Sequence, residues 1–252
     1  MILIMKKISL LLLIMIIFSG CQTSTRFAET STGYGNYNDK DWNESFYDNC
    51  RLPKNSLEKI EENGNKFLRF QLKNMQKGGC KSDRKRRHGA PYWERAELKQ
   101  NNFLHTNSTY EIKFKVRFLE GFKGNRETFF QIHQYNKGCS VYPTLMLKFH
   151  YRNLRLDALV HEPTYRHKHY TNYQFDSQKL LKKWHEFKII YDDKKKKINV
   201  FLNKELIFDN IKYETDGCGQ PHIKFGIYRP GSKYKLETSV ADFDDFVIRK
   251  IK

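Results

Sequence analysis

Residues 109–119 constrain the fold more than any other segment. Tyr110, Ile112, Phe114, Val116 and Phe118 are apolar at every second position, with Glu111, Lys113, Lys115 and Arg117 between them. Side chains that alternate in this way belong to a strand with one face in a core, whereas a helix would group them at every third or fourth position. The same period returns at 66–72, 93–99, 144–150, 153–160, 184–191, 197–202, 222–228 and 241–251, with turn residues between the segments. No long helical period occurs. The pattern predicts an all-β protein, an antiparallel β-sandwich or β-jelly roll. Residues 56–63 are expected to form one helical turn ending at a hairpin at Asn63-Gly64-Asn65. Residues 161–170 are expected to form a loop.

The amino terminus predicts where the chain works. Lys6-Lys7, an apolar run over 8–18 and Ser19-Gly20-Cys21 make an export signal. The run is short for a transmembrane helix. Phe18-Ser19-Gly20-Cys21 resembles a bacterial lipobox, with Phe18 where Leu is usual, and marks Cys21 for lipidation. The plainer alternative is a secretory signal cut nearby. The expectation is a signal over 1–20, a Ser-, Gly- and Asn-rich tether over 21–43, and a domain over 44–252. The product would be an exported lipoprotein of the cell envelope or surface, monomeric and held to the membrane by its lipid. Formal net charge is +18 and aromatics make up 15%, a composition suited to a polyanionic partner. Such a partner could be nucleic acid, anionic lipid or an acidic polysaccharide, and export argues against the first. In an oxidising compartment the remaining cysteines are expected to pair as Cys50–Cys80 and Cys139–Cys218. They show no spacing for structural zinc.

Three strands carry polar residues at period two. Arg95 and Glu97 share a side, as do Gln131 and His133, and as do Lys224, Gly226 and Tyr228. Around the middle strand, Phe130 and Ile132 are expected on the core face, and Phe129, Gln131, His133 and Tyr135 on the other. Gly226 has no side chain between Lys224 and Tyr228, which would leave room for a ligand. Taken singly, each set also fits an ordinary solvated sheet face or a cross-strand ion pair.

Together and in this order, Arg95-Ala96-Glu97-Leu98, Gln131-Ile132-His133 and Lys224-Phe225-Gly226-Ile227-Tyr228 resemble the signature strands of jelly-roll alginate lyases. Lys224 to Arg229 resembles even more the heparin lyase and glucuronan lyase group. The resemblance runs from about Lys66 to the carboxyl terminus and implies a concanavalin A-like sandwich. Lys99 stands where those alginate lyases often have Arg, and Arg229-Pro230 where they have Asn-Gln, which weakens the case for alginate itself. The implied reaction is β-elimination on a uronic-acid chain.

That chemistry needs a group to neutralise the sugar carboxylate, a base for the C5 proton and an acid for the departing O4. Arg95, Gln131 or both could bond the carboxylate. By resemblance His133 and Tyr228 divide the proton transfers: Tyr228 alone if proton and leaving oxygen lie on one side, His133 as base and Tyr228 as acid if they lie opposite. A tyrosine base needs cations to lower its pKa from about 10; Arg95, Lys224 and Arg229 are the candidates. Glu97 would orient Arg95. Trp93, Tyr135, Lys148, His150, Arg152 and Arg155 would line the groove, with Trp93 or Tyr135 stacking on sugar rings. No cofactor is expected. Analogy with heparin lyases raises calcium, but the sequence holds no ligand set for it, and His167 with His169 lacks a matching third ligand motif. Two other classes compete: a non-catalytic carbohydrate-binding lipoprotein on the same fold, and a sandwich glycoside hydrolase. Asp242, Asp244 and Asp245 lack the carboxylate spacing of the latter and are expected at a turn or edge.

Overall fold

A computed structural model of the protein describes residues 24–26, 42–43, 52–77, 80–86, 88–101, 104–134, 142–215, 220–232, 234 and 237–252. The strands are β1 (Ser24–Arg26), β2 (Trp42–Asn43), β3 (Leu57–Glu62), β4 (Asn65–Leu72), β5 (Trp93–Gln100), β6 (Thr109–Phe118), β7 (Thr128–His133) and β8 (Leu145–His150). They continue with β9 (Asn153–His161), β10 (Tyr165–Asp176), β11 (Trp184–Asp192), β12 (Lys197–Leu202), β13 (Glu205–Lys212), β14 (His222–Pro230) and β15 (Ser239–Lys250). Two antiparallel sheets result. One runs β13-β12-β11-β6-β15-β4-β3 with β1 also on β15; the other runs β10-β9-β8-β7-β14-β5-β2. A 3-10 turn, Lys81–Arg84, is the one helical element among the described residues.

The sheets meet over an aromatic core. Phe114 stacks on Phe130 at 5.2 Å, Phe187 at 5.5 Å and Phe246 at 5.2 Å, drawing residues from both sheets to one point. Such pairs add about 0.5–1.5 kcal/mol each beyond the area they bury. Two-residue hairpins link β3 to β4, β8 to β9 and β12 to β13. In each, both linking residues have positive φ: Asn63 and Gly64, Tyr151 and Arg152, Asn203 and Lys204. That is the turn whose twist matches antiparallel strands.

Four local expectations change. The helical turn over 56–63 is strand β3. Leu57 and Ile60 are three apart, as in a helix, but the hairpin at Asn63-Gly64 folds the segment back onto β4. The loop over 161–170 is mostly edge strand β10, whose one-sided pairing leaves its composition polar. Asp242 lies in the middle of its sheet rather than at a turn or edge, fully buried between Arg69 and Arg117. The tether segment contains two paired pieces: Ser24–Arg26 along β15 and Trp42–Asn43 along β5. Cys80 is buried and disulfide-bonded. Cys21, Cys50, Cys139, Cys218, Tyr135 and the signal segment lie outside the described residues.

Candidate functional site

The three motif strands are neighbours, in the order β7-β14-β5. Phe225 and Ile227 enter the core, so Lys224 and Tyr228 fall on the outer face of the sheet. Register then fixes two rows across the strands. One runs Arg95, Tyr228, Thr128, Lys148, Arg155; the other Lys99, Lys224, Gln131, Met146, Asp157, His169. His133 faces His222 across β14 and β7, their rings stacked at 5.6 Å. Arg95, Gln131, His133, Lys224 and Tyr228 are all buried although they are on the outer face.

Arg95 anchors one end. Its Nε and Nη2 donate to Asp83 at 2.8 and 2.9 Å, and its Nη1 donates to Glu97 at 2.6 Å. Asp83 arrives on the 3-10 turn. Glu97 also accepts from Gln131 Nε2 at 2.5 Å, tying β5 to β7 across β14. Burial opposes the charge on Arg95, but Asp83 and then Glu97 outweigh it and raise its proton affinity. The guanidinium lies over the Tyr228 ring at 4.2 Å, and Trp93 stacks on the same phenol at 4.8 Å.

Three neighbouring groups are pushed toward their neutral forms. Burial, then Lys224 and His222, hold His133 well below the ordinary imidazole pKa. Burial and Lys224 lower His222 to about 2. Burial, then Arg95, bring Lys224 down to about 7. A neutral imidazole and a lysine poised near neutrality suit proton transfer.

Several predicted roles move. Phe129 does not share a face with Gln131 and His133. A β-bulge between Thr128 and Phe130 turns it into the core against Phe118, Phe149 and Phe187. Gly226 serves strand β5 rather than a ligand: at φ +131° an added Cβ would collide with the Ala96 carbonyl oxygen and Glu97 Cα. Arg229 points into the sandwich end, donating to Glu94 at 2.6 Å and Ser239 Oγ at 2.5 Å, so it is no groove residue. Trp93 packs on Tyr228 and is only 8% exposed, which removes it as an open sugar platform. Arg152 sits in the β8–β9 turn, bonded to Asp176. His167 contacts the Pro143 carbonyl and His169 contacts Asp157. Among the described residues no set of three or more His, Cys, Asp or Glu is arranged to hold a metal. Asp83 and His222 were missed. His222 was legible, since it continues the period-two series Lys224, Gly226, Tyr228 on the same strand.

A family model described as polysaccharide lyase matches residues 30–242. The chain belongs to the polysaccharide lyase family. It is a lyase, with a polysaccharide as its substrate. A search of curated proteins finds no match. Among solved structures, a family 7 alginate lyase, A1-II′, bound to product shares 12% identity over 84% of this chain and 96% of that one, at TM-score 0.59. Alginate lyase AlgAT5 of the same family shares 15% over 85% and 96%, at TM-score 0.54. Alginate lyase PA1167 from Pseudomonas aeruginosa shares 15% over 79% and 87%, at TM-score 0.55. At these identities the likeness establishes the jelly-roll fold.

At the other end of the rows the lyase reverses the pattern of Arg95. Asp157 is the buried centre. It accepts from Arg155 Nε at 2.5 Å and Nη2 at 3.2 Å, faces His169 Nδ1 at 2.8 Å, and pairs with Lys148 Nζ at 3.0 Å. Burial alone would raise its pKa; the bond to His169, Lys148 and Arg155 instead hold it far below the carboxylate range.

Proposed function

We propose that this lyase cleaves a uronic-acid polysaccharide by β-elimination, with Tyr228 and His133 moving the protons. The observation that carries the reading is the Tyr228 phenol against the Arg95 guanidinium, on the same outer face as a neutral His133 and the Gln131 amide. A positive charge against the ring stabilises negative charge developing on the phenolic oxygen. The base removes the C5 proton, the C4–O4 bond breaks, a C4–C5 double bond forms, and the acid returns a proton to O4. Where C5 proton and O4 are on the same side, Tyr228 does both; where they are opposite, neutral His133 is the base and Tyr228 the acid.

The sugar carboxylate goes to Gln131 and Lys224, which pair across β7 and β14. Arg95 is enclosed by Asp83 and Glu97, which suits it to holding Tyr228 and, through Glu97, Gln131. The Lys-Phe-Gly-Ile-Tyr-Arg spelling of 224–229 favours a glucuronan- or heparin-type chain over alginate. The amino-terminal signal and Cys21 favour a lipid-anchored enzyme at the cell envelope; Cys21→Ser should abolish labelling by radioactive palmitate.

The deciding assay follows the ultraviolet absorbance of the conjugated uronate on glucuronan, heparin, heparan sulfate, chondroitin and alginate. A rise on one substrate names the sugar. Tyr228→Phe and His133→Ala should each lower turnover by about 10²–10⁴-fold while thermal unfolding stays cooperative. Full activity in either variant removes that residue from the mechanism.

A further inference from the structure

The Lys148 end of the outer face has a charge balance opposite to that of the Arg95 end. Around Arg95, one cation meets two carboxylates, Asp83 and Glu97. Around Asp157, one carboxylate meets Lys148 and Arg155, with His169 at its edge. The donors there are not used up. Among the described residues, Asp157 and His169 take Arg155 Nε and Nη2 but leave Nη1, and Asp157 is the one carboxylate on Lys148 Nζ. Arg126, two residues before β7, has its guanidinium over Trp93 at 5.8 Å, donates from Nη1 to the His88 carbonyl at 3.5 Å, and acts on Lys148 through its charge.

We propose that Lys148, Arg155 and Arg126 form a second anion site, which takes the acidic group of a sugar next to the one cleaved. The site deepens the lyase reading above and rests on it for the direction of the bound chain. Lys148 is two strands from Tyr228 through Thr128, about 10 Å at the usual strand spacing. A chain lying along that row therefore meets the proton-transfer groups and then a cluster whose cations outnumber its carboxylate. Arg155 Nη1 and the Lys148 ammonium can bond one carboxylate or sulfate between them. Burial, then Arg155 and Arg126, lower the Lys148 pKa despite Asp157. Burial, Arg155, Lys148 and Arg126 bring His150 down to about 4. Cations that weaken one another's hold on protons, with a carboxylate already present, mark positive potential that an arriving anion would relieve. The substrate class that fits carries acidic groups on adjacent sugars, by carboxylates throughout or by sulfate beside uronate.

The test is calorimetric binding in a Tyr228→Phe background, where elimination is slowed, with two probes: an unsulfated glucuronan oligosaccharide and a heparin oligosaccharide. Lys148→Met and Arg126→Met should each weaken at least one probe about tenfold, the loss of a charge-assisted hydrogen bond. Lys188→Met, which removes the same charge from the outer face of the opposite sheet, should stay within twofold. Loss confined to the glucuronan probe identifies a carboxylate site, and loss confined to heparin a sulfate site. Affinity within twofold of the parent for both probes in Lys148→Met, or no binding of either by the parent, overturns the proposal. The elimination assay is read separately. A protein that eliminates nothing yet loses affinity on Lys148→Met would sink the reaction assignment and keep the anion site.

Discussion

The two ends of the outer face use the same residue types in inverse proportion. At one, Asp83 and Glu97 enclose Arg95; at the other, Lys148, Arg155 and His169 surround Asp157. A cation bonded on both sides by carboxylates is a fixture. It holds its neighbours, here Tyr228 and, through Glu97, Gln131, and offers little to a ligand. A carboxylate among several cations leaves donors over. A formal charge of +18 therefore says little about where an anion binds; local stoichiometry around each buried carboxylate says more.

Asp83→Asn should break this contrast most severely. It leaves a buried guanidinium with one carboxylate, and losing a partner of a buried ion pair costs about 3–5 kcal/mol. Chemical denaturation should show that loss, and turnover should fall with it as Tyr228 loses its support. An unchanged midpoint would mean that Asp83 does not hold Arg95. Asp157→Asn should separate the two ends by sign. Stability falls by a smaller amount, about 1–3 kcal/mol, while affinity for an acidic oligosaccharide rises, and rises most at low salt. Weaker binding at every salt concentration would contradict the surplus of donors at that end.

Acid should sharpen the contrast next. Folded His133 and His222 stay neutral at pH values where free imidazole, with a pKa of 6.5, takes up a proton. Below that value the unfolded chain binds more protons than the folded one, so stability falls as pH drops from about 6.5. Lys224 acts in another window. Between about 7 and the ordinary 10.5 the unfolded chain keeps a proton that the folded chain has lost, so its contribution to stability rises with pH there. Thermal midpoints in a pH series should fall on the acid side, and less steeply in His222→Gln; equal slopes would exclude His222 as a source. The smallest effect should be that of Lys195→Ala in the β11–β12 turn. An exposed hairpin lysine should alter stability by no more than about 0.5 kcal/mol by the same denaturation.

Much of the fold was legible because period-two alternation survives wherever one face is buried and the other is not. Residues 109–119 show it plainly, and Thr109–Phe118 is a strand. It fails where the burial contrast fails. On β10 the edge position leaves polar residues on both sides, so the segment reads as loop. On β3 the three-residue spacing of Leu57 and Ile60 imitates a helix until the hairpin is considered. Within the site, Arg95, Glu97, Gln131, His133, Lys224 and Tyr228 could be grouped by strand and face from local spacing alone. Asp83 could not, since nothing in its own segment points to β5; only the fold brings the 3-10 turn over Arg95. Arg229 was misplaced for the opposite reason: adjacency in sequence to Tyr228 means the reverse face of a strand.

The bulge at Phe129 bears on how such a gene can change. Deleting one codon from most positions in a strand inverts every side chain beyond it. Here Thr128 lies outward, Phe129 and Phe130 both lie inward, and Gln131 again lies outward. Loss of either phenylalanine codon yields the same shortened protein, still in phase on both flanks, with Gln131 and His133 facing as before. Its cost would be one aromatic ring's worth of packing, about 3–5 kcal/mol. The doublet is thus a joint at which this strand can gain or lose a residue across generations without turning its working side inward.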